Sequence, residues 1–557
     1  MAVLVVAAAL HAAALGPAPG SLGDAALAPP DRVALVERVM AANTGSDDVA
    51  RALALAHAAA GAPHAPVPPP GAPSAAAAEL LSRHGLEPAT HAAELASLDA
   101  LPANVSAALA RVVTAFLAFD AATTEMFAHE DLAKLAELGK RLTPAPGLPR
   151  LDDPALQAPA ALTEDERALF AALRAHQPAI LAARATLLDA VPGLRDALAA
   201  APSARATLVA PPALAIDLLG DDDVYETNVA LLIDAGGDDV YRNNAGGSNF
   251  LLGALPFPVA GLTLPVPAAA ALIDLLGNDH YAGPTLEPGQ YTGAVNGGGA
   301  VGAGFLFDAT GDDVYDPIGV ALNGGGVLGG VGFLLDAEGN DQYGPPFAAN
   351  VVANGGAQLA GLGLLVDGLG NDAYYGSIIG VNGGGSLTGV GMIVDGAGDD
   401  AYLAVCSAVN GGAMDGGAGA ILDLAGDDRY ASSYPPYRVF NGANGGAAWG
   451  GQGFLFDALG NDVYEGGYRG TNGGAAAGSG FLWDASGDDA YVAQYLGANG
   501  EGDSYDGPLG QGFGLMPGTG LLLDGDGHDA FVQDSGACAN PAACTVVPKG
   551  VGAQLDL

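Results

Sequence analysis

Asp308-Ala-Thr-Gly311-Asp312-Asp313-Val-Tyr315, entered from the apolar run Phe305-Leu306-Phe307, decides the fold of this 557-residue chain because it recurs. Eleven copies of Asp-x-x-Gly-(Asp/Asn)-Asp-x-Tyr fill residues 217 to 531 and begin at Asp217, Asp234, Asp274, Asp308, Asp336, Asp367, Asp395, Asp423, Asp457, Asp484 and Asp524. The copy at Asp217 carries one extra residue, and the last ends in Gly527-His528-Asp529-Ala530-Phe531. A fixed internal repeat means that one unit is stacked on its neighbours. From Asp308 the leading aspartates recur after 28, 31, 28, 28, 34 and 27 residues. An Asn-Gly-Gly stands 12 or 13 residues before each, at Asn296, Asn323, Asn354, Asn382, Asn410, Asn444 and Asn472, with Asn499 as a displaced member. That period is short for a propeller blade, which takes four strands and about 40 residues. It suits one coil of a β-solenoid, two or three short strands joined by tight turns.

Within a coil, Gly302-Ala-Gly304-Phe305-Leu306-Phe307 reads as a strand whose side chains alternate between inside and outside. Asp308-x-x-Gly311 is a type I turn signal, Val314-Tyr315 opens a second strand, and Asn323-Gly-Gly-Gly326 turns the chain again. Stacking places equivalent residues in columns about 4.8 Å apart.

Residues 30 to about 200 read differently, as Ala/Leu-rich helices at 31–60, 75–98, 104–141 and 163–200, punctuated by proline loops at 63–73 and 144–154. Thr163 followed by Glu164, Asp165 and Glu166 is a helix start. The predicted fold is an N-terminal all-α domain followed by an all-β repeat domain, a parallel β-helix or β-roll-like solenoid of about ten coils. Residues 30–204 form the helical domain of four or five helices, 205–535 the repeats and 536–557 a C-terminal tail or cap. His57, His64, His84 and His91 show no metal-ligand spacing and read as surface or core histidines.

The formal net charge is −43, with only Lys134, Lys140 and Lys549 as lysines. Such a surface repels nucleic acid and anionic membranes and selects cations as partners. No uninterrupted run reaches the roughly 18 apolar residues of a membrane span. Phe250 to Leu276 comes closest, is broken by Pro256, Pro258, Pro265 and Pro267, and reads as an apolar insertion between repeats. The first 20 residues, apolar and then rich in Ala, Gly and Pro, resemble a signal peptide that lacks a basic start. Cys538 and Cys544, in a Pro-containing loop, are placed either to close a small disulfide or to stay as thiols, and Cys406 has no sequence partner. Together these features place the protein outside the cell or on its surface.

Columns turn the motif into chemistry. The position five after the leading Asp is Asp239, Asp279, Asp313, Asp341, Asp372, Asp400, Asp428, Asp462, Asp489 and Asp529 in the ten regular copies. The residue before it is Asp238, Asn278, Asp312, Asn340, Asn371, Asp399, Asp427, Asn461 or Asp488, with His528 last. Stacked carboxylates repel by about 1 kcal/mol per neighbouring pair in water and about 3.5 kcal/mol at an effective dielectric near 20. Calcium, a hard cation with oxygen ligands, answers that repulsion. The candidate ligands are these residues together with the leading Asp234, Asp274, Asp308, Asp336, Asp367, Asp395, Asp423, Asp457, Asp484 and Asp524. The leading Asp has a second reading, as a side-chain cap of its own turn. The Asn series reads equally as an amide ladder or as a left-handed turn residue before Gly. The Tyr column, Tyr225 to Tyr491, reads as core stacking or as an aromatic binding stripe, and Tyr434, Tyr437, Tyr468, Tyr495 and Tyr505 lie in loops.

Gly-(Asn/Asp)-Asp-x-Tyr, as in Gly277-Asn-Asp-His-Tyr281 and Gly460-Asn-Asp-Val-Tyr464, resembles the core of the RTX nonapeptide. That resemblance implies a β-roll that binds calcium in its turns through the Gly, Asn/Asp and Asp positions, with Tyr inward. It covers about six residues per repeat, and the period near 28 departs from the tandem nonapeptide. A weaker similarity links the turns to the calcium loops of integrin-type FG-GAP propellers, which are richer in alternating Asp.

No nucleophile elbow, P-loop, dinucleotide fingerprint or zinc signature occurs. The sequence thus favours a non-enzymatic, calcium-binding repeat protein with a structural or adhesive role. Its expected partners are calcium and a cell-surface polysaccharide or another surface protein, and the helical domain would attach it. One alternative is a calcium-dependent β-helix lyase or hydrolase acting on acidic polysaccharide. Its site would break the repeat at 431–444 or 493–520, with Arg242, Arg429, Arg438, Arg469 and Lys549 as the available bases. The other is an acidic repeat scaffold adapted to high salt, without specific metal sites.

Overall fold

The computed structural model describes residues 29–43, 47–61, 71–128, 130–143, 162–249, 267–287, 290–346, 350–434, 437–438, 441–466, 470–493, 502–503, 519–525, 529–533 and 551–556. The leader, His64, Asn499, Tyr468, Tyr495, Tyr505, Arg469, His528, Lys549, Cys538 and Cys544 lie outside these residues, as does most of 493–520.

Among the described residues seven α-helices come first: α1 (Pro29–Ala42), α2 (Asp48–Ala60), α3 (Pro73–Arg83), α4 (Ala92–Asp99), α5 (Ala103–Ala128), α6 (Leu132–Leu142) and α7 (Glu164–Ala199). They exceed the four or five expected because caps divide the Ala/Leu-rich stretches. Asp47 accepts from the Ala50 N–H ahead of α2, and Asp131 accepts from the Lys134 N–H ahead of α6. Thr163 and Glu166 form a reciprocal capping box at the predicted start of α7. Helix α5 is long and apolar enough to cross a membrane, but most of it is buried inside the protein. It packs against α7, α3 and the strand Ala269–Ile273. That strand closes the stretch expected to be an insertion, so its last part belongs to the repeats; residues 250–266 lie outside the described ones.

The repeats build parallel sheets. A 13-stranded sheet runs in chain order from Thr207–Ala210, antiparallel to Leu214–Asp217, to Val551–Asp556, and every later pairing in it is parallel. The apolar run before each leading Asp is its strand, so that Asp336 pairs in register with Asp367, and Asp457 with both Asp423 and Asp484. The residues around each Tyr form a second parallel sheet, with Tyr315, Tyr343, Tyr374, Tyr402, Tyr430, Tyr464 and Tyr491 in register. The residues after Asn-Gly-Gly form short third-sheet strands such as Gly326–Val327, Ala357–Gln358 and Gly385–Ser386. One repeat therefore visits each of three sheets before the chain moves on by one strand.

Glycine permits this close stacking. A Cβ on Gly311 would lie 1.7 Å from the carbonyl oxygen of Gly277 in the preceding repeat.

Side chains in the 13-stranded sheet alternate, yet both faces are buried. Leu306, Leu334 and Leu365 pack with the tyrosines, while Phe305, Phe307, Phe333 and Leu335 share a core with the helices. Gln177 of α7 donates to the carbonyls of Gly329 and Ala360, and Arg184 lies over the Phe333 ring at 4.3 Å. The helices pack their apolar faces over one side of this sheet.

Candidate cation sites in the carboxylate column

The turn gives its three acidic positions different surroundings. The leading Asp sits at the end of a first-sheet strand and points into the core, where Asp308, Asp336, Asp367, Asp395, Asp423, Asp457 and Asp484 are fully buried. Its Oδ2 accepts phenolic hydroxyls. Tyr374 donates to Asp395 at 2.6 Å, Tyr402 to Asp395 and Asp423 at 3.0 and 2.8 Å, and Tyr464 to Asp457 and Asp484 at 3.0 and 2.8 Å. Tyr225, Tyr241 and Tyr281 donate likewise to Asp234, Asp274 and Asp308. In the early copies Oδ1 also caps the turn, accepting from the N–H of Gly236, Leu276 and Thr310. From Asp336 onward, Oδ1 of Asp336, Asp367, Asp423 and Asp457 is buried with no donor.

The two acids that follow zip neighbouring repeats together in opposite directions. The exposed fourth position accepts from the repeat ahead: Asp312 takes the Asn340 N–H at 2.9 Å, Asn340 that of Asn371 at 3.1 Å, and Asn371 that of Asp399 at 2.7 Å. The buried fifth position accepts from the repeat behind: Oδ1 of Asp341 takes the Asp313 N–H, and Oδ1 of Asp372 the Asp341 N–H, both at 2.6 Å. Its second oxygen, Oδ2 of Asp239, Asp279, Asp313, Asp341, Asp372, Asp400, Asp428, Asp462 and Asp489, is buried without a donor.

Those orphaned oxygens converge. The two carboxyl groups of one copy lie side by side, as with Asp308 and Asp313 or Asp336 and Asp341. Each trio made of one fifth-position Asp and the next copy's pair, such as Asp279, Asp308 and Asp313 or Asp313, Asp336 and Asp341, brings three buried carboxylate oxygens within 4.8 Å of one another. Two carboxylates only accept, so a shared proton or a cation must join them. Burial first, then the charges of Asp308 and Asp336, pushes Asp313 up to about 12. Burial and the charges of Asp367 and Asp395 push Asp372 up to about 12 as well, while Asp308, held by tyrosine hydroxyls, rises to about 6.

Of the candidate ligands, the leading and fifth positions come together, whereas Asp238, Asn278, Asp312, Asn340, Asn371, Asp399, Asp427, Asn461 and Asp488 lie on the exposed ladder. Asp524 is buried at the end of its strand, and Asp529 is half-buried. Both readings of the Asn series hold: Asn323, Asn354, Asn382 and Asn410 have φ of 47–50°, and each donates through Nδ2 to the next Asn at 2.9–3.1 Å. Tyr241 to Tyr491 are wholly buried, as core stacking requires. What the sequence reading missed is their hydroxyl, and the signal was the repetition of Tyr where Phe would pack as well. Arg242 and Arg429 are exposed, and Arg429 pairs with Glu465 at 2.8 Å.

No protein-family model, curated protein or solved structure matches the chain.

Proposed function

We propose that the repeats form a parallel β-solenoid whose buried carboxylate column holds a file of divalent cations, calcium by its preference for hard oxygen ligands, and that the protein is a cation-dependent scaffold working outside the cell or on its surface. One observation carries this reading. At the fifth position Asn would serve the fold better than Asp: its oxygen would accept the same backbone N–H, and its amide would donate to the leading Asp. It would also remove one buried charge. The fourth position uses Asn in four of the ten regular copies, yet the fifth position is Asp in every one. The charge costs stability unless something positive sits against it.

The charges also balance. Nine buried pairs, from Asp234 with Asp239 to Asp484 with Asp489, supply two carboxylates per repeat, which one divalent cation neutralises. Support for the structural role comes from the same oxygens, since a cation shared between successive repeats fastens one to the next. A surface polysaccharide or surface protein is the kind of partner such an acidic rod would meet.

Asp341→Asn tests the reading through its sign. With calcium present the variant should be less stable than the parent by about 1–3 kcal/mol, because a cation ligand is lost. In chelator it should be more stable by a similar amount. Stabilisation under both conditions in thermal melts would mean that the column holds no metal.

A further inference from the structure

Away from the carboxylate column, the core shared by helices and sheet encloses a cation. Arg184 of α7 is wholly buried, and Nε, Nη1 and Nη2 of its guanidinium meet no acceptor among the described residues. Burial pulls its pKa down only to about 10, so the group stays charged at neutral pH. The Phe333 ring, 4.3 Å away, attracts the charge but leaves the N–H bonds unmade. Gln177, two turns earlier on the same helix, shows the ordinary solution by donating to the carbonyls of Gly329 and Ala360. Other arginines have carboxylates: Arg51 pairs with Asp48, Arg141 with Glu166, Arg195 with Asp47 and Arg429 with Glu465. The strand beneath Arg184 cannot supply one. Phe333 faces the helices, whereas Leu334 and Asp336 face the tyrosines on the other side of the sheet. A buried guanidinium cannot shed its proton, and leaving it unpaired in an apolar core is costly.

We propose that Arg184 binds a small monovalent anion, chloride, in the layer between α7 and the 13-stranded sheet. Charge sets the class of ligand. One guanidinium offers one positive charge, and Phe333 and its strand neighbours Phe305 and Leu364 are apolar, so a dianion would bring a second charge with nothing to meet it. Arginine suits the task because its charge is weakly hydrated and its donors are fixed in one plane. Bound there, the anion ties α7 to the repeats, since it is held by a helix residue whose guanidinium lies against a sheet residue. The site is on the opposite face of the sheet from the buried aspartates and does not depend on what occupies their column. A net charge of −43 opposes anion binding elsewhere on the molecule, so a saturable chloride effect is the mark of an enclosed cation.

The full-length protein is melted at fixed calcium, sodium, pH and ionic strength while chloride replaces gluconate. The parent's melting temperature should rise by a few degrees and then saturate, as binding to the folded state alone requires. Arg184→Met, which keeps the bulk of the side chain and removes its charge, should show no dependence on chloride, and without chloride it should melt above the parent. Bromide-soaked crystals of the parent, measured at the bromine absorption edge, should give an anomalous peak within hydrogen-bond reach of the Arg184 guanidinium, a reading that requires no variant to fold. The same chloride dependence in Arg184→Met as in the parent, or no bromide peak beside Arg184, would overturn the proposal. A bromide peak in a protein whose melting is indifferent to chloride would mean an adventitious ion only, and would overturn it too.

Discussion

At the scale of the residue, one carboxyl group does several things at once. Asp395 accepts hydroxyls from Tyr374 and Tyr402 through Oδ2 and lies beside Asp400. The sequence offers both the fifth-position and the leading Asp as ligands and gives the leading one a second reading as a turn residue. Both are buried and adjacent, and the early copies cap their turns as well. The fifth position's backbone bond was illegible in sequence because its partner lies about one repeat away, 28 residues for Asp313 and Asp341. Tyr374→Phe removes a donor from a buried carboxylate and should destabilise the protein by about 1–3 kcal/mol in denaturant titration. An effect within error would mean that the hydroxyl adds nothing to packing.

Elements explain why the repeat holds its register. The Asn series supplies a left-handed corner and a ladder bond in one side chain, two readings that sequence left equal and that are both true. Their contributions separate by mutation. Asn382→Ala loses the bonds to Tyr374 O and Asn410 and the bond received from Asn354, and it leaves a Cβ residue at φ 48°. It should cost about 2–4 kcal/mol, whereas Asn382→Gly, which keeps the backbone relaxed, should recover about 1 kcal/mol of that. Equal losses in the two variants, measured by chemical denaturation, would assign the whole effect to the ladder. Strands and turns were legible because apolar runs and Asp-x-x-Gly are local signals. Helix boundaries at Asp47 and Asp131 were not separated, since the caps lie inside otherwise helical composition.

Across the whole molecule, the helices and repeats share one hydrophobic core. A signal was present: Phe305-Leu306-Phe307 is apolar at consecutive positions, the mark of a strand buried on both faces, where a half-exposed strand would alternate. Residues 205–557 expressed without the helices should therefore aggregate, as light scattering and soluble yield would show. A soluble monomer with the circular dichroism expected of the same residues in the full chain would contradict the shared core.

The carboxylate column makes stability depend on pH in a direction opposite to ordinary acid denaturation. Each buried carboxyl has a folded pKa above its unfolded value of 3.8, so its contribution is fully present below that value and is lost as pH rises through the folded one. That occurs near 6 for Asp308, 8 for Asp336 and Asp423, and 9 for Asp279 and Asp484. Metal-free protein should melt at progressively lower temperature from pH 4 to 9, and a cation should cancel the slope by replacing the proton. The most direct measurement is metal content and melting temperature of the full chain across that range, with calcium and with chelator. The full chain should hold about one calcium per buried aspartate pair, and calcium should raise its melting temperature by an amount that grows with pH. A metal-free protein whose melting is indifferent to both calcium and chelator at every pH would contradict it.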